Sequence, residues 1–87
     1  GDESAGRYCI EDVIYAPGWE SSAYHMESAD EHWYVVEGEV EIRVGDLIET
    51  CAAGSFAYIP RDTTRAIANR SGAPARVFQW STPAGYD

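Results

Sequence analysis

The residues able to do chemistry fall in two stretches of this 87-residue chain. The first runs from Gly18 to Gly38 and holds His25, Glu27, Glu31 and His32. The second runs from Gly54 to Asn69 and holds Tyr58, Pro60 and Arg65. An imidazole and carboxylates a few residues apart can ligate a divalent cation or pass protons. A phenol can donate a proton, whereas a guanidinium has no lone pair to offer. With only two histidines in the whole chain, the metal chemistry open to these stretches is limited.

Composition narrows the partners. Six basic against fifteen acidic side chains give a formal charge of -9, which repels phosphate backbones and anionic membrane surfaces, so neither nucleic acid nor membrane is an expected partner. Residues 1–87 read as one domain, and a chain of that size buries only about two-thirds of its unfolded surface. No apolar run approaches the ~20 residues of a membrane span. Gly1-Asp2-Glu3-Ser4 lacks the basic-then-apolar order of a signal peptide, so a cytoplasmic protein is expected. Cys9 and Cys51 read as reduced, buried thiols rather than a disulfide.

Strands must position these residues. Pro17-Gly18, Glu37-Gly38-Glu39, Gly45-Asp46, Gly54-Ser55, Pro60-Arg61-Asp62 and Ser71-Gly72-Ala73-Pro74 are turn chemistry at short intervals. Between Gly38 and Gly45, Val40, Ile42 and Val44 alternate with Glu39, Glu41 and Arg43, the period of a strand with one buried face. Glu37, Glu39 and Glu41 then form a solvated acidic face. Further runs rich in β-branched and aromatic residues are Arg7 to Tyr15, Trp19 to Met26, His32 to Val36, Leu47 to Cys51, Phe56 to Ile59, Arg65 to Ala68 and Arg76 to Trp80. Eight short strands and no helix predict an all-β barrel or double-sheet jelly roll, able to hold side chains or one small ligand. Trp19, Trp33, Trp80, Phe56 and Phe78 are expected in the core or at a dimer interface. Gly38 and Gly54 are expected at positive φ.

The segment from His25 to Gly38 followed by Glu39 to Asp46 resembles the first conserved motif of the cupins, and Gly54 to Pro60 with Arg65 and Asn69 resembles the second. The likeness runs from about Gly6 to Thr82, and the ending Ser81-Thr82-Pro83-Ala84-Gly85 resembles small quercetinase-like bacterial members. It implies a cupin double-stranded β-helix, and it implies little about activity because that barrel hosts many chemistries. In metal-dependent cupins the first motif supplies two histidines and a glutamate and the second a third histidine. The resemblance places Glu31 on the glutamate, Pro60 and Asn69 on the proline and asparagine, and Arg65 on the third histidine. The histidine pair falls on His25 and Glu27 if three residues precede Glu31, or on Tyr24 and Met26 if four do. Strand alternation turns one of these pairs inward and the other outward.

Three functions follow from the resemblance. Favoured is a metal-free enzyme of isomerase, cyclase or lyase type, in which His25, Glu31 and Arg65, helped by Glu27 and Tyr58, supply acid, base and anion-binding roles. The second is a dioxygenase resembling quercetinases, with His25, Glu27 and Glu31 holding a divalent transition metal such as Mn²⁺, Fe²⁺ or Zn²⁺. The third is a non-catalytic binding or scaffold domain in which Arg65 and Glu31 form an internal ion pair. The expected partner is a small organic molecule in the barrel, and the resemblance implies a homodimer. His32, next to Glu31, is expected on the opposite face.

Overall fold

The structure is a computed structural model, which describes residues 10–83. Seven strands run in order: β1 Glu11–Tyr15, β2 Ala29–Glu37, β3 Glu39–Val44, β4 Leu47–Ala52, β5 Phe56–Ile59, β6 Arg65–Ala68 and β7 Ala75–Pro83. They form two antiparallel sheets, β1-β7-β2-β5 and β4-β3-β6, the all-β jelly roll expected, with seven strands among the described residues where eight were expected. No helix occurs among the described residues, and none is long and apolar enough to cross a membrane. Cys51 carries a free thiol, while Cys9 lies outside the described residues.

The core is the sum of inward-facing alternate residues. Trp33 and Val35 of β2, Val40 and Ile42 of β3, Ile59 of β5, Ile67 of β6 and Val77 of β7 form one buried cluster. Each fully buried side chain of this kind contributes about 1.5–3 kcal/mol relative to its exposed state. Of the aromatics expected in the core or at a dimer interface, Trp33 is the one in the central cluster. Trp19 is half-exposed with its ring 5.0 Å from that of Tyr15, and Phe56 is exposed. Gly38 joins β2 to β3 at φ +82°, where a Cβ would sit 2.8 Å from the Pro74 carbonyl oxygen, so both the backbone and the space demand glycine.

The expected strand from Trp19 to Met26 does not form as such. This segment lies along β6 through two isolated bridges, Glu20 to Ala68 and Tyr24 to Arg65. Position 20 to 24 is four steps while 68 to 65 is three, so one extra residue is bulged out between the bridges. The cause is local. The Ile67 N–H donates to the Ser21 hydroxyl at 3.1 Å instead of to a backbone carbonyl, while the Ser21 N–H still donates to the Ile67 carbonyl at 2.9 Å. The acidic face also differs from expectation, since Glu41 accepts from Arg70 at 2.9 Å and Arg70 also reaches Glu20 at 2.9 Å.

Asn69 closes the other end of β6. Its fully buried amide nitrogen donates to the carbonyls of Tyr15 (2.9 Å) and Ala73 (2.8 Å), and its oxygen accepts from the N–H and hydroxyl of Ser71. One side chain therefore ties β1 to the β6–β7 turn. Replacing it with alanine leaves the buried Tyr15 carbonyl unpaired and frees the β6–β7 turn, so Asn69→Ala is expected to lose about 2–3 kcal/mol of stability in urea unfolding.

Candidate functional site

The bulge decides which side chains enter the barrel. Trp19 packs against Tyr15, and uninterrupted alternation from Trp19 would turn His25 and Glu27 to the same side. The extra residue resets the count, and Tyr24 and Met26 face Arg65 instead. Paired backbone hydrogen bonds lock this register, with Arg65 N–H to Tyr24 O at 2.8 Å and Tyr24 N–H to Arg65 O at 3.0 Å.

Arg65 is the centre of the site and is 0% exposed. Its Nη1 donates to Glu31 Oε1 at 2.8 Å and contacts Met26 Sδ at 3.9 Å. Its Nε donates to the Thr63 carbonyl at 3.1 Å, and its Nη2 donates to the carbonyls of Thr63 (2.9 Å) and Pro60 (3.2 Å). These contacts occupy all five guanidinium donors. The guanidinium expected to bind an anion therefore directs its donors to groups of the protein itself.

Tyr24 completes the arrangement. Its hydroxyl donates to the same Glu31 oxygen at 3.3 Å, and the Arg65 guanidinium carbon lies 5.7 Å from its ring centroid. Burial, then the negative charge of Glu31, push the Tyr24 phenol up to about 12, so it remains a protonated donor at neutral pH. With Oε1 of Glu31 engaged twice, Oε2 carries no hydrogen bond among the described residues. The Glu31 side chain is 13% exposed and lines a cavity of about 250 Å³ with Glu11, Gln79, Trp80 and Ser81. Gln79 Nε2 donates to the Tyr15 hydroxyl, which fixes its amide at the cavity wall.

His25 and Glu27 sit outside, 51% and 80% exposed, with 3.6 Å between Nε2 and Oε2. Asp62 joins them, and one donor atom from each of the three lies within 4.8 Å of the others. The expected trio of His25, Glu27 and Glu31 is thus not assembled, and His25 is apart from the Glu31–Arg65 pair. Tyr58 is also elsewhere. It lies on the outer face of β5, where its hydroxyl donates to Asp30 Oδ2 at 3.1 Å, a bond that raises the phenol's pKa. His32 faces outward as expected, its ring 5.3 Å from and nearly parallel to Trp80.

The groups gathered around Arg65 do not fit a transition metal. They comprise the Glu31 carboxylate, one thioether, a phenol with a pKa pushed up to about 12 and a permanent cation. Sequence reasoning named Tyr24 and Met26 as an open alternative and missed Glu11, Gln79 and Ser81 altogether. The adjacent Ser21-Ser22 was the one local sign of a bulge.

A family model described as a cupin domain matches residues 11–81. The chain belongs to the cupin family. No characterised protein sequence matches it. Among solved structures, this cupin is similar to a Thermus thermophilus protein at 28% identity and a TM-score of 0.82, covering 87% of this chain and 72% of that one. It is similar to the cupin domain of Schizosaccharomyces pombe Cnp3 at 14% identity and a TM-score of 0.83, covering 87% of this chain and 52% of that one. It is also similar to a predicted oxalate decarboxylase from Thermotoga maritima at 15% identity and a TM-score of 0.82, covering 85% and 64%. The cupin therefore spans only about half to two-thirds of the latter two chains, and at their identities the likeness shows the fold alone.

Removing one partner of a buried pair strands the other charge. Arg65→Met is expected to lose about 3–5 kcal/mol in denaturant unfolding, and the Arg65→Met/Glu31→Leu double variant to recover most of that loss. Equal destabilisation of single and double variants would show that the carbonyl contacts of Arg65, rather than Glu31, dominate.

Proposed function

We propose that this cupin binds a small organic molecule in the cavity beside Glu31 and acts on it by proton transfer without a bound metal, as an isomerase, cyclase or lyase does. The observation that carries this reading is the buried Arg65 guanidinium on Glu31, at the position the family gives to a metal-ligating histidine. A fixed positive charge does there part of what a cation would do, since it holds the carboxylate in place and compensates its charge. Glu31 is the base, through Oε2. Tyr24 and Arg65 are positioning residues that act through Oε1.

The chemistry balances with one carboxyl group. A proton taken from one carbon and returned to another completes an isomerisation, and one returned to a departing hydroxyl completes loss of water. His25 and Tyr58 have no part in this reading, since each lies on another surface. A quercetinase-like dioxygenase has little support, because the inward donors are wrong for its metal.

The test requires a ligand, found by NMR screening of small hydroxylated and carbonyl compounds against the wild-type chain. Deuterium exchange from D₂O into that ligand is the expected activity, unchanged by added Fe²⁺ or Mn²⁺ and slowed at least about a hundredfold by Glu31→Gln. A ligand displaced by Glu31→Gln but never exchanged would make this a binding domain. Exchange abolished by chelation would restore a metal.

Pairing as a homodimer is part of the same proposal. The outer face of the four-stranded sheet carries Tyr34, His32, Phe78 and Trp80, with the His32 and Trp80 rings inclined by 10°. Such an aromatic centre is what interface cores are made of. Sedimentation equilibrium is expected to give a dimer, and Trp80→Glu a monomer. A wild-type monomer at high concentration would count against pairing.

A further inference from the structure

β4 and β5 are both edge strands, each at the end of its own sheet, and the barrel is open between them. A cavity of about 210 Å³ lies there. Ile42 and Val44 of β3 line it, as do Leu47, Glu49 and Cys51 of β4, and Phe56 and Tyr58 of β5. It shares no lining residue with the cavity beside Glu31. We infer that this cleft is a binding site for a small amphipathic ammonium compound, with one aromatic or branched-alkyl group seated between the sheets and a cationic amine at Glu49.

Shape and exposure support the apolar half of that ligand. Leu47 is 60% exposed and lies on the same side of β4 as Glu49 and Cys51, while Phe56 and Tyr58, whose rings pack on the outer face with His32, border the rim of the cleft. Exposed large apolar side chains are ordinary when scattered and mark a binding surface when they converge on a concavity. Ile42, which lines the same cleft, is buried, so an entering apolar group would contact the hydrophobic core itself. The volume is below the ~300 Å³ at which ordinary ligand pockets begin, which restricts the occupant to one ring or branched chain on a short tether.

Charge supports the other half. Glu49 is the one charged residue of the lining and has no ion pair among the described residues. The chain's formal charge of -9 adds a field that concentrates cations and excludes anions. Arg43, on the neighbouring strand, lines a different cavity and donates to the Gly45 carbonyl at 2.7 Å, so it does not neutralise Glu49. Glu49 is exposed within the lining, and an amine there gains a charge-assisted hydrogen bond.

The cleft carries its own reporter. Cys51 is half-buried within it, and burial, then the charge of Glu49, hold its thiol pKa up. In the full chain with Cys9→Ser, Cys51 is the single thiol, and its rate of alkylation by iodoacetamide reads occupancy. Phenethylammonium at millimolar concentration is expected to slow alkylation about tenfold at saturation, and 3-phenylpropionate, its near-isosteric anion, less than about twofold. Glu49→Gln should speed the reaction of the free protein by relieving the thiol, and should erase the difference between the two probes.

Equal protection by both probes, or by neither, overturns the proposal. Protection that rises with protein concentration in the absence of a probe would assign the cleft to a second copy of the chain and overturns it too. Glu31→Gln, which removes the other site, should leave Cys51 protection unchanged, so failure here is separable from failure of the proton-transfer reading.

Discussion

A guanidinium with no exposed surface must find an acceptor for each of its five N–H groups inside the protein, and the rest of this barrel is arranged around that demand. Arg65 meets it with the carbonyls of Pro60 and Thr63, the carboxylate of Glu31 and the sulfur of Met26. Those partners come from β2, from the loop before β6 and from the segment that lies along β6. The pair is not a large source of net stability, because burying both charges costs several kcal/mol of desolvation per ion. Its effect is to fix geometry, since any rearrangement that separates Arg65 from Glu31 leaves a charge in a medium that solvates it poorly.

That fixed charge also sets what the interior can do. A metal ion accepts electron pairs and could engage a ligand directly. Arg65 gives hydrogen bonds only, and all of them are committed to the protein. The atom the pair leaves open is Oε2 of Glu31, which borders a cavity with Glu11, Gln79 and Ser81, and the proposed proton transfer is placed there. The neutral Tyr24 phenol helps to hold the carboxylate through the opposite oxygen.

Much of the architecture was legible in the residues. The alternation of Val40, Ile42 and Val44 with charged neighbours announced β3, and Val40 and Ile42 are buried as it implied. Gly38 and Gly54 do take positive φ, a backbone conformation that residues with a Cβ rarely adopt. The outward orientation of His32 followed from its place beside an inward Glu31. The face of His25 did not follow. One bulged residue near Ser21 inverts every later side chain in its segment, and a bulge stabilised by a hydroxyl-to-backbone bond with Ile67 leaves only a faint trace in sequence.

The sequence by itself determined the strand pattern, the acidic charge, the family and the residue types at the Glu31 and Arg65 positions. These are properties of local order, set by periodicity, turn chemistry and the absence of further histidines. The tertiary structure decided which residues meet. It brought Tyr24, Met26, Glu31 and Arg65 together, sent His25 and Glu27 out beside Asp62, and opened a second cleft between β4 and β5. The physical reason is that register between strands distant in sequence depends on hydrogen bonds across the sheet. A single change of pairing there moves a side chain from one face to the other.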